Sequence, residues 1–470
     1  MKYNILILFA VITFSACKIP VLVTKQENKT IPAFYNSTQD STNAASLKWR
    51  QYFTDPYLIA IIDTALKNNQ ELNIALHEIE MDKNEIQARK GEYLPFVNVG
   101  GVAGIEKTGR YTFDGISEED IKANPEKGPQ HIGDFRIGVY ASWELDVWKK
   151  LRTAKKSAAL RYLSTIEGRN FMVTNIIAEI SGSYYELLAL DNLMQIIQQN
   201  IELQKNALRM VKFEKDAAKV SQLAVNRFDA QLLHTQNLQY NIQQQIVETE
   251  NRINFLSGKF TQHVARAGTA ITDIPVDVVQ SGIPSQLLLN RPDIRQAELA
   301  LAAAKLDVQV ARANFYPSFR LSAGTGFTAF NPGFVFRPES FLYNLAGDAV
   351  GPLINKNGIK AAYNNANEKQ IISAYNYERS ILSAFIEVVN HLSLMDNYKK
   401  SYETKSKEVA ILTQSIDISN KLFVATKADY IEVLLTQREA LDSRIELIET
   451  KLKQLQAKVN IYRALGGGWN

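Results

Sequence analysis

Two stretches of this chain make the same junction: GEYLPFVNVGGVAG at residues 91–104 and ANFYPSFRLSAGTG at residues 313–326. In each, a helical run ends at an aromatic residue and a proline, Tyr93 to Pro95 and Phe315 to Pro317, before a Gly-containing alternating segment. The shift of 222 residues that sets Gly91 on Ala313 also lays NNQELNIA (68–75) on NRPDIRQA (290–297). A second shift of 208 residues, from Leu151 to Ile359, lays Glu179 on Glu387 and Leu223 on Ile431. The chain is two copies of one unit, so whatever fold it adopts must be built twice.

Within each unit the periodicity changes in a fixed order. The pattern predicts a helix of about 35 residues from near Pro56 to before Pro95, and a counterpart from Pro292 to before Pro317, with proline suited to the first turn. Strands follow: Phe135, Ile137, Val139, Ala141, Trp143 and Leu145 alternate with polar or small residues, as do Phe319, Leu321, Ala323, Thr325 and Phe327. Partner strands are expected near 96–106 and 339–350, joined by a long loop (107–132) in the first copy and by NPGFVFRP in the second. Long helices come next, since Thr153 to Lys212 holds no proline and just two glycines, which gives a rod of about 90 Å at 1.5 Å per residue. Apolar residues at spacings of three and four, such as Leu190, Met194, Ile197 and Ile201, indicate coiled-coil hairpins. Gln204, Thr235, Gln239 and Thr249 interrupt the seam, and the expectation is that one helix face lines water.

Composition excludes several classes of function. The 53 basic and 49 acidic residues leave a net charge of +4, spread along the chain without a basic block, which argues against nucleic acid as a partner. Lys2 followed by the apolar stretch Ile5 to Ala16 is too short to span a bilayer and suits a signal peptide. It ends in FSAC, and Cys17 is the single cysteine, so no internal disulfide can form in an exported chain. A thiol beside a signal sequence reads as a lipidation site, the alternative being a lone buried cysteine. The histidines His77, His131, His234, His263 and His391 are isolated, with no HExxH and no Cys/His cluster, and neither GxSxG nor a phosphate loop is present. No catalytic residue, metal site or cofactor is therefore expected.

Four strands of about ten residues with one apolar and one polar face match transmembrane β segments. An open ribbon in lipid would leave two edges of unpaired N–H and C=O groups, so the chain must oligomerise to close, to eight strands with two copies or twelve with three. The polar face, with Arg136, Glu144, Arg320 and Asp348, favours a water-filled lumen. On patterning alone a soluble sandwich with attached coiled coils remains open, because half-buried strands alternate in the same way.

The segments SWELDVWKKLRTA (142–154), GIPSQLLLNRPDIRQAE (282–298) and YRALGGGW (462–469) resemble the signatures of the TolC-type outer-membrane efflux factors, in the lipoprotein branch that serves resistance-nodulation-division pumps. FSAC resembles a bacterial lipoprotein box, with Phe14 where Leu or Val is usual. Asn290 departs from the second arginine usual before Arg291, and neither hairpin turn, KFEKDAAKVSQ (212–222) or KLFVATKADY (421–430), holds the customary glycine.

The resemblance implies an α+β membrane protein of two tandem repeats: a homotrimer with a twelve-stranded outer-membrane β-barrel and a long α-helical coiled-coil barrel in the periplasm. The layout is a signal peptide (1–16), a lipidated extended segment (17–55), repeat 1 (56–257, strands 95–146), a linker (258–290), repeat 2 (291–465, strands 318–353) and a tail (466–470). The implied function is a passive exit duct for small molecules, with a periplasmic adaptor, an inner-membrane pump and outer-membrane lipid as partners. Pro95 and Pro317 would turn strand into helix. The tips carry Phe213, Lys219 and Ser221, and Phe423, Lys427 and Asp429, as candidate adaptor contacts. Ser221 and Asp429 equally suit N-caps, and Lys219 and Lys427 equally suit solvated charges. Asp417, repeated about the axis, would form a periplasmic gate or else sit solvated. A type I protein-secretion duct and a non-conducting envelope lipoprotein are the alternatives.

Overall fold

The computed structural model describes residues 19–23, 25–35, 42–107, 131–276, 280–425 and 427–469; the signal segment, Cys17 and residues 108–130 of the first strand loop lie outside these. The first copy comprises α1 (Pro56–Asn68), α2 (Gln70–Tyr93), β1 (Phe96–Glu106), β2 (Ile132–Leu145), α3 (Lys150–Asp216) and α4 (Gln222–Leu256). The second comprises α5 (Pro292–Ala313), β3 (Ser318–Ala329), β4 (Phe341–Val350), α6 (Asn357–Val424) and α7 (Tyr430–Ala464). Helices α4 and α7 start at 222 and 430 and end at 256 and 464, so a shift of 208 residues holds at both ends.

The single helix expected ahead of β1 is two helices, broken at Asn69. Its backbone is extended at φ −62°, ψ 126°. The buried Asn69 amide donates to the Leu256 carbonyl at 2.9 Å, and its side-chain oxygen accepts the Leu72 N–H at 3.1 Å, capping α2. Satisfying both ends of a buried amide outweighs the helical bonds lost at the break.

The strands form one antiparallel sheet in the order β1-β2-β3-β4. Its register keeps parity across every pair: Val99 faces Val139, which faces Thr325, which faces Tyr343. Directly opposed residues share a face, so the odd-numbered positions make one apolar surface with Val97, Phe135, Ile137, Leu321, Phe341 and Leu345. The even-numbered positions make a polar one, where Glu144, Arg320 and Asp348 stand in a row. On this second face Gly100, Gly138 and Gly326 lie side by side. A Cβ on Gly138 would come within 2.7 Å of the Thr325 oxygen, and one on Gly326 within 2.3 Å of the Ile137 oxygen, so the backbones approach too closely for any side chain.

The chain divides into a sheet unit (residues 1–26, 80–163 and 299–375) and a helical unit (27–79, 164–298 and 376–470). In the sheet unit, Phe315 and Tyr363 meet edge to face at 5.5 Å and pack with Ala311, Ile19 and Leu22. In the helical unit, Leu58 and Ile62 of α1 pack with Ile177, Ile180 and Tyr184 of α3 and with Val459 and Tyr462 of α7. A second cluster runs down the hairpin, joining Leu190, Leu193 and Ile197 of α3 to Phe228 and Leu232 of α4 and to Ile448 and Leu455 of α7. The polar interruptions Gln204, Thr235 and Thr249 do not line water: each is buried within the chain. The Thr235 hydroxyl donates to the Gln231 carbonyl at 3.0 Å, which lets it sit in a packed seam.

Candidate functional site

The strands of 11, 14, 12 and 10 residues are long enough for a bilayer, which a tilted strand crosses in about 9–11 residues. Where they end, tryptophans fix the proline junctions. The Trp143 indole donates to the Tyr93 carbonyl at 3.0 Å, beside Pro95, and the Trp148 indole donates to the Pro317 carbonyl at 2.7 Å. Trp148 also stacks on Tyr316 with ring centres 4.6 Å apart. A cavity of about 430 Å³ opens here, lined by Trp148, Tyr316, Pro317, Pro352 and the Glu144–Lys150 ion pair, whose atoms lie 2.6 Å apart. The turn into α3 is organised by Asp146, which accepts the N–H groups of Leu151 at 2.9 Å and Arg152 at 3.0 Å. Burial alone would raise its carboxyl, but those bonds and the Arg152 guanidinium hold it below the usual range.

At the first hairpin tip Phe213 is 68% exposed, and Lys219 pairs with Glu214 at 3.1 Å. Ser221 takes the N-cap position of α4 and Asp429 that of α7, yet neither side chain makes a capping hydrogen bond, which leaves both free toward solvent. The glycine missing from this turn is replaced by Ala218, held at φ 58° in the left-handed region. At the second tip Phe423 is half-buried and Lys427 exposed, while the Leu422 carbonyl accepts the Lys427 N–H at 2.9 Å. Asp417 lies on α6 ahead of that tip, exposed.

The segments NRPDI and YRALGGGW build a buried clamp that the sequence alone does not reveal. Arg291, 5% exposed, donates to Glu387 at 2.8 Å, to the Ala464 carbonyl at 2.7 Å and to Asp293 at 2.8 Å. Arg463 reaches Glu387 at 2.7 Å from the other side. Burial penalises the Arg291 charge, yet the carboxylates of Asp293 and Glu387 raise its pKa, while burial would raise Glu387 and the Arg291 and Arg463 guanidiniums hold it below the usual carboxylate range. The GGGW tail completes the site. Gly466, at φ 90°, brings the backbone so close to Asn290 that a Cβ would lie 2.6 Å from its oxygen, and the Trp469 indole donates to that oxygen at 3.1 Å. The sequence carries both segments, NRPDI and ALGGGW, but nothing in it signals that they meet.

Upstream of Ile19, Cys17 lies outside the described residues. Beyond it, the Val23 carbonyl accepts a hydrogen bond from Asn367 at 3.0 Å and the Lys25 carbonyl one from Gln370 at 3.3 Å, all in the sheet unit. Among the described residues there is no cluster of three metal-ligating side chains, and no helix is long and apolar enough to cross a membrane.

A duplicated chain with long helical hairpins and a two-faced, open-edged β-sheet has the fold of the TolC-type outer membrane channels. The profile of the outer membrane efflux protein family matches residues 61–259 and 283–467, and the chain belongs to that family. It is an efflux protein of the outer membrane. It is 25% identical over 477 residues to the solvent efflux pump outer membrane protein SrpC of Pseudomonas putida, covering 100% of this chain and 99% of that one. The probable outer membrane lipoprotein SilC of Salmonella typhimurium is 24% identical over 96% of this chain and 93% of its own. Among solved structures, the open state of the MtrE outer membrane channel of Neisseria gonorrhoeae superposes with a TM-score of 0.83 at 21% identity, over 97% of this chain and 99% of that one.

Proposed function

We propose that three copies of this chain form the exit duct of a tripartite efflux pump. Small molecules loaded by an inner-membrane pump and a periplasmic adaptor would pass through it passively to the exterior. The observation that carries this reading is the sheet, with one apolar face, one polar face and an unpaired edge on each of β1 and β4. Such a sheet is stable in lipid only when further copies close it, and the closed form presents its polar face to a lumen. Pro95 and Pro317, with their tryptophan bonds, turn lipid-facing strand into helix. Phe213, Lys219 and Ser221, and Phe423, Lys427 and Asp429, meet the adaptor at the tips, and Asp417 narrows the periplasmic opening. Cys17 carries the acyl chains, a role supported by Ile19 and Leu22 packing against Phe315, two residues before Pro317.

The test is conductance of the purified, lipidated protein in a planar bilayer, with the particle mass measured in the same preparation. Steady ohmic steps from a particle of three chains support the duct. A three-chain particle that never conducts leaves an envelope lipoprotein and removes the transport function.

A further inference from the structure

Away from the strand ends, the polar face of the sheet carries one aromatic ring. Tyr140 of β2 stands opposite Asn98 of β1 on one side and Gly324 of β3 on the other, and Gly324 stands opposite Asn344 of β4. These four residues make one row across the sheet. The neighbours of Tyr140 along β2 and β3 on this face are Gly138, Ser142, Ser322 and Gly326, none larger than serine. The ring spreads into the space they leave. A Cβ on Gly100 would lie 3.6 Å from its Cε2 atom and one on Gly324 would lie 3.2 Å from its Cδ1 atom, so its two edges reach toward the strands on either side. Gly138 and Gly324 are buried, while Tyr140 itself is 42% exposed, with no taller side chain beside it on β2 or β3.

What such a surface recognises follows from its chemistry. A tyrosine ring is apolar across its faces and carries a negative face and a positive edge, so it favours a second flat ring in an offset stack. The Asn98 and Asn344 side chains are exposed on either side of it in the row. A Cβ on Gly324 would lie 2.4 Å from the Asn344 Oδ1 atom, which places that amide across Gly324, between its own strand and the ring. Each amide both donates and accepts hydrogen bonds. One ring between two amides suits a solute that is flat and apolar in its body and polar at its rim.

We infer that Tyr140, flanked by Asn98 and Asn344, is a binding station on the duct wall, where planar aromatic solutes with polar substituents pause on their way out. The inference rests on the duct reading, because the polar face lines a lumen only in the closed oligomer, and it deepens that reading: the wall itself discriminates among the compounds delivered to it. Conduction requires that such a site bind weakly, since a solute held firmly would block the passage. Stacking on one ring adds roughly two- to twelve-fold in affinity beyond what buried apolar area supplies, which gives a pause without a blockage. A saturated, puckered solute of the same size gains the area and forgoes the stack.

The experiment records current through the purified full-length oligomer in a planar bilayer while 2-naphthol or its saturated analogue, decahydro-2-naphthol, is added. The two share one heavy-atom frame and one hydroxyl, and only the first can stack. The readout is the ratio of their half-blocking concentrations within each protein, so a change in open conductance does not enter it. The expected result is that the wild-type channel is half-blocked at a roughly two- to twelve-fold lower concentration of 2-naphthol. In Tyr140→Leu and Tyr140→Thr the ratio should fall to one, and in Tyr140→Phe it should persist; two truncations are used so that one that fails to assemble does not end the test. A wild-type channel that blocks alike with both compounds overturns the station and leaves the duct standing, as does a ratio that survives both truncations. A three-chain particle that passes no current overturns the duct reading and the station with it.

Discussion

At the scale of single residues the most consequential group is Arg291, buried with two carboxylates and a helix-terminal carbonyl around it. Truncating it in Arg291→Leu strands Asp293 and the Ala464 carbonyl and leaves Glu387 with Arg463 alone, and the expected cost is about 3–5 kcal/mol, read as a lower melting temperature in detergent. Arg291→Lys should not restore it, since an ammonium cannot serve three acceptors in one plane. Glu387 makes the same site sensitive to acid. Its carboxyl is held below the ordinary 4.5, so the stabilisation is complete above that value and fades as the pH falls through the lowered one. Melting temperature should therefore drop with acidification below about pH 4.5. In Glu387→Gln it should start lower and fall less steeply, and parallel curves for the two proteins would refute the assignment.

At the scale of elements, the first hairpin turn stores a small strain. Ala218 stands at φ 58° where glycine would rest without penalty. Ala218→Gly should stabilise the turn by about 0.5–1 kcal/mol, seen as roughly two- to five-fold greater hydrogen-exchange protection of the tip amides. Reading the sequence could not find this, because it registered a missing glycine and had no means of seeing that alanine had been forced into its conformation. Other elements were legible for clear reasons. Period-two alternation in Phe135 to Leu145 sets one apolar face, and the register then extends that face across all four strands. The break at Asn69 was hidden because its cause, the Leu256 carbonyl, lies 187 residues away. The burial of Thr235 was hidden because a hydroxyl satisfied by its own helix looks, in sequence, like one that wants water.

For the molecule as a whole, the duplication was the most readable feature, and its imperfections carry the function. The two copies share their elements, but only the second keeps the Arg291 clamp, and only the first leaves its returning helix uncovered. Asp417 likewise occurs once per chain, so a closed trimer would bring three of these exposed carboxylates around one axis. If they narrow the opening, Asp417→Ala should raise single-channel conductance and weaken cation preference at wild-type protein levels; unchanged currents would place the constriction elsewhere. Gly138 and Gly326 bear on how such a protein adapts. A change in the range of compounds exported has to arise by substitution, and at these two positions any new side chain collides with the neighbouring main chain before it can touch a passing molecule. Mutants selected on unfamiliar toxic compounds should leave these two codons untouched and accumulate at other positions on the same face.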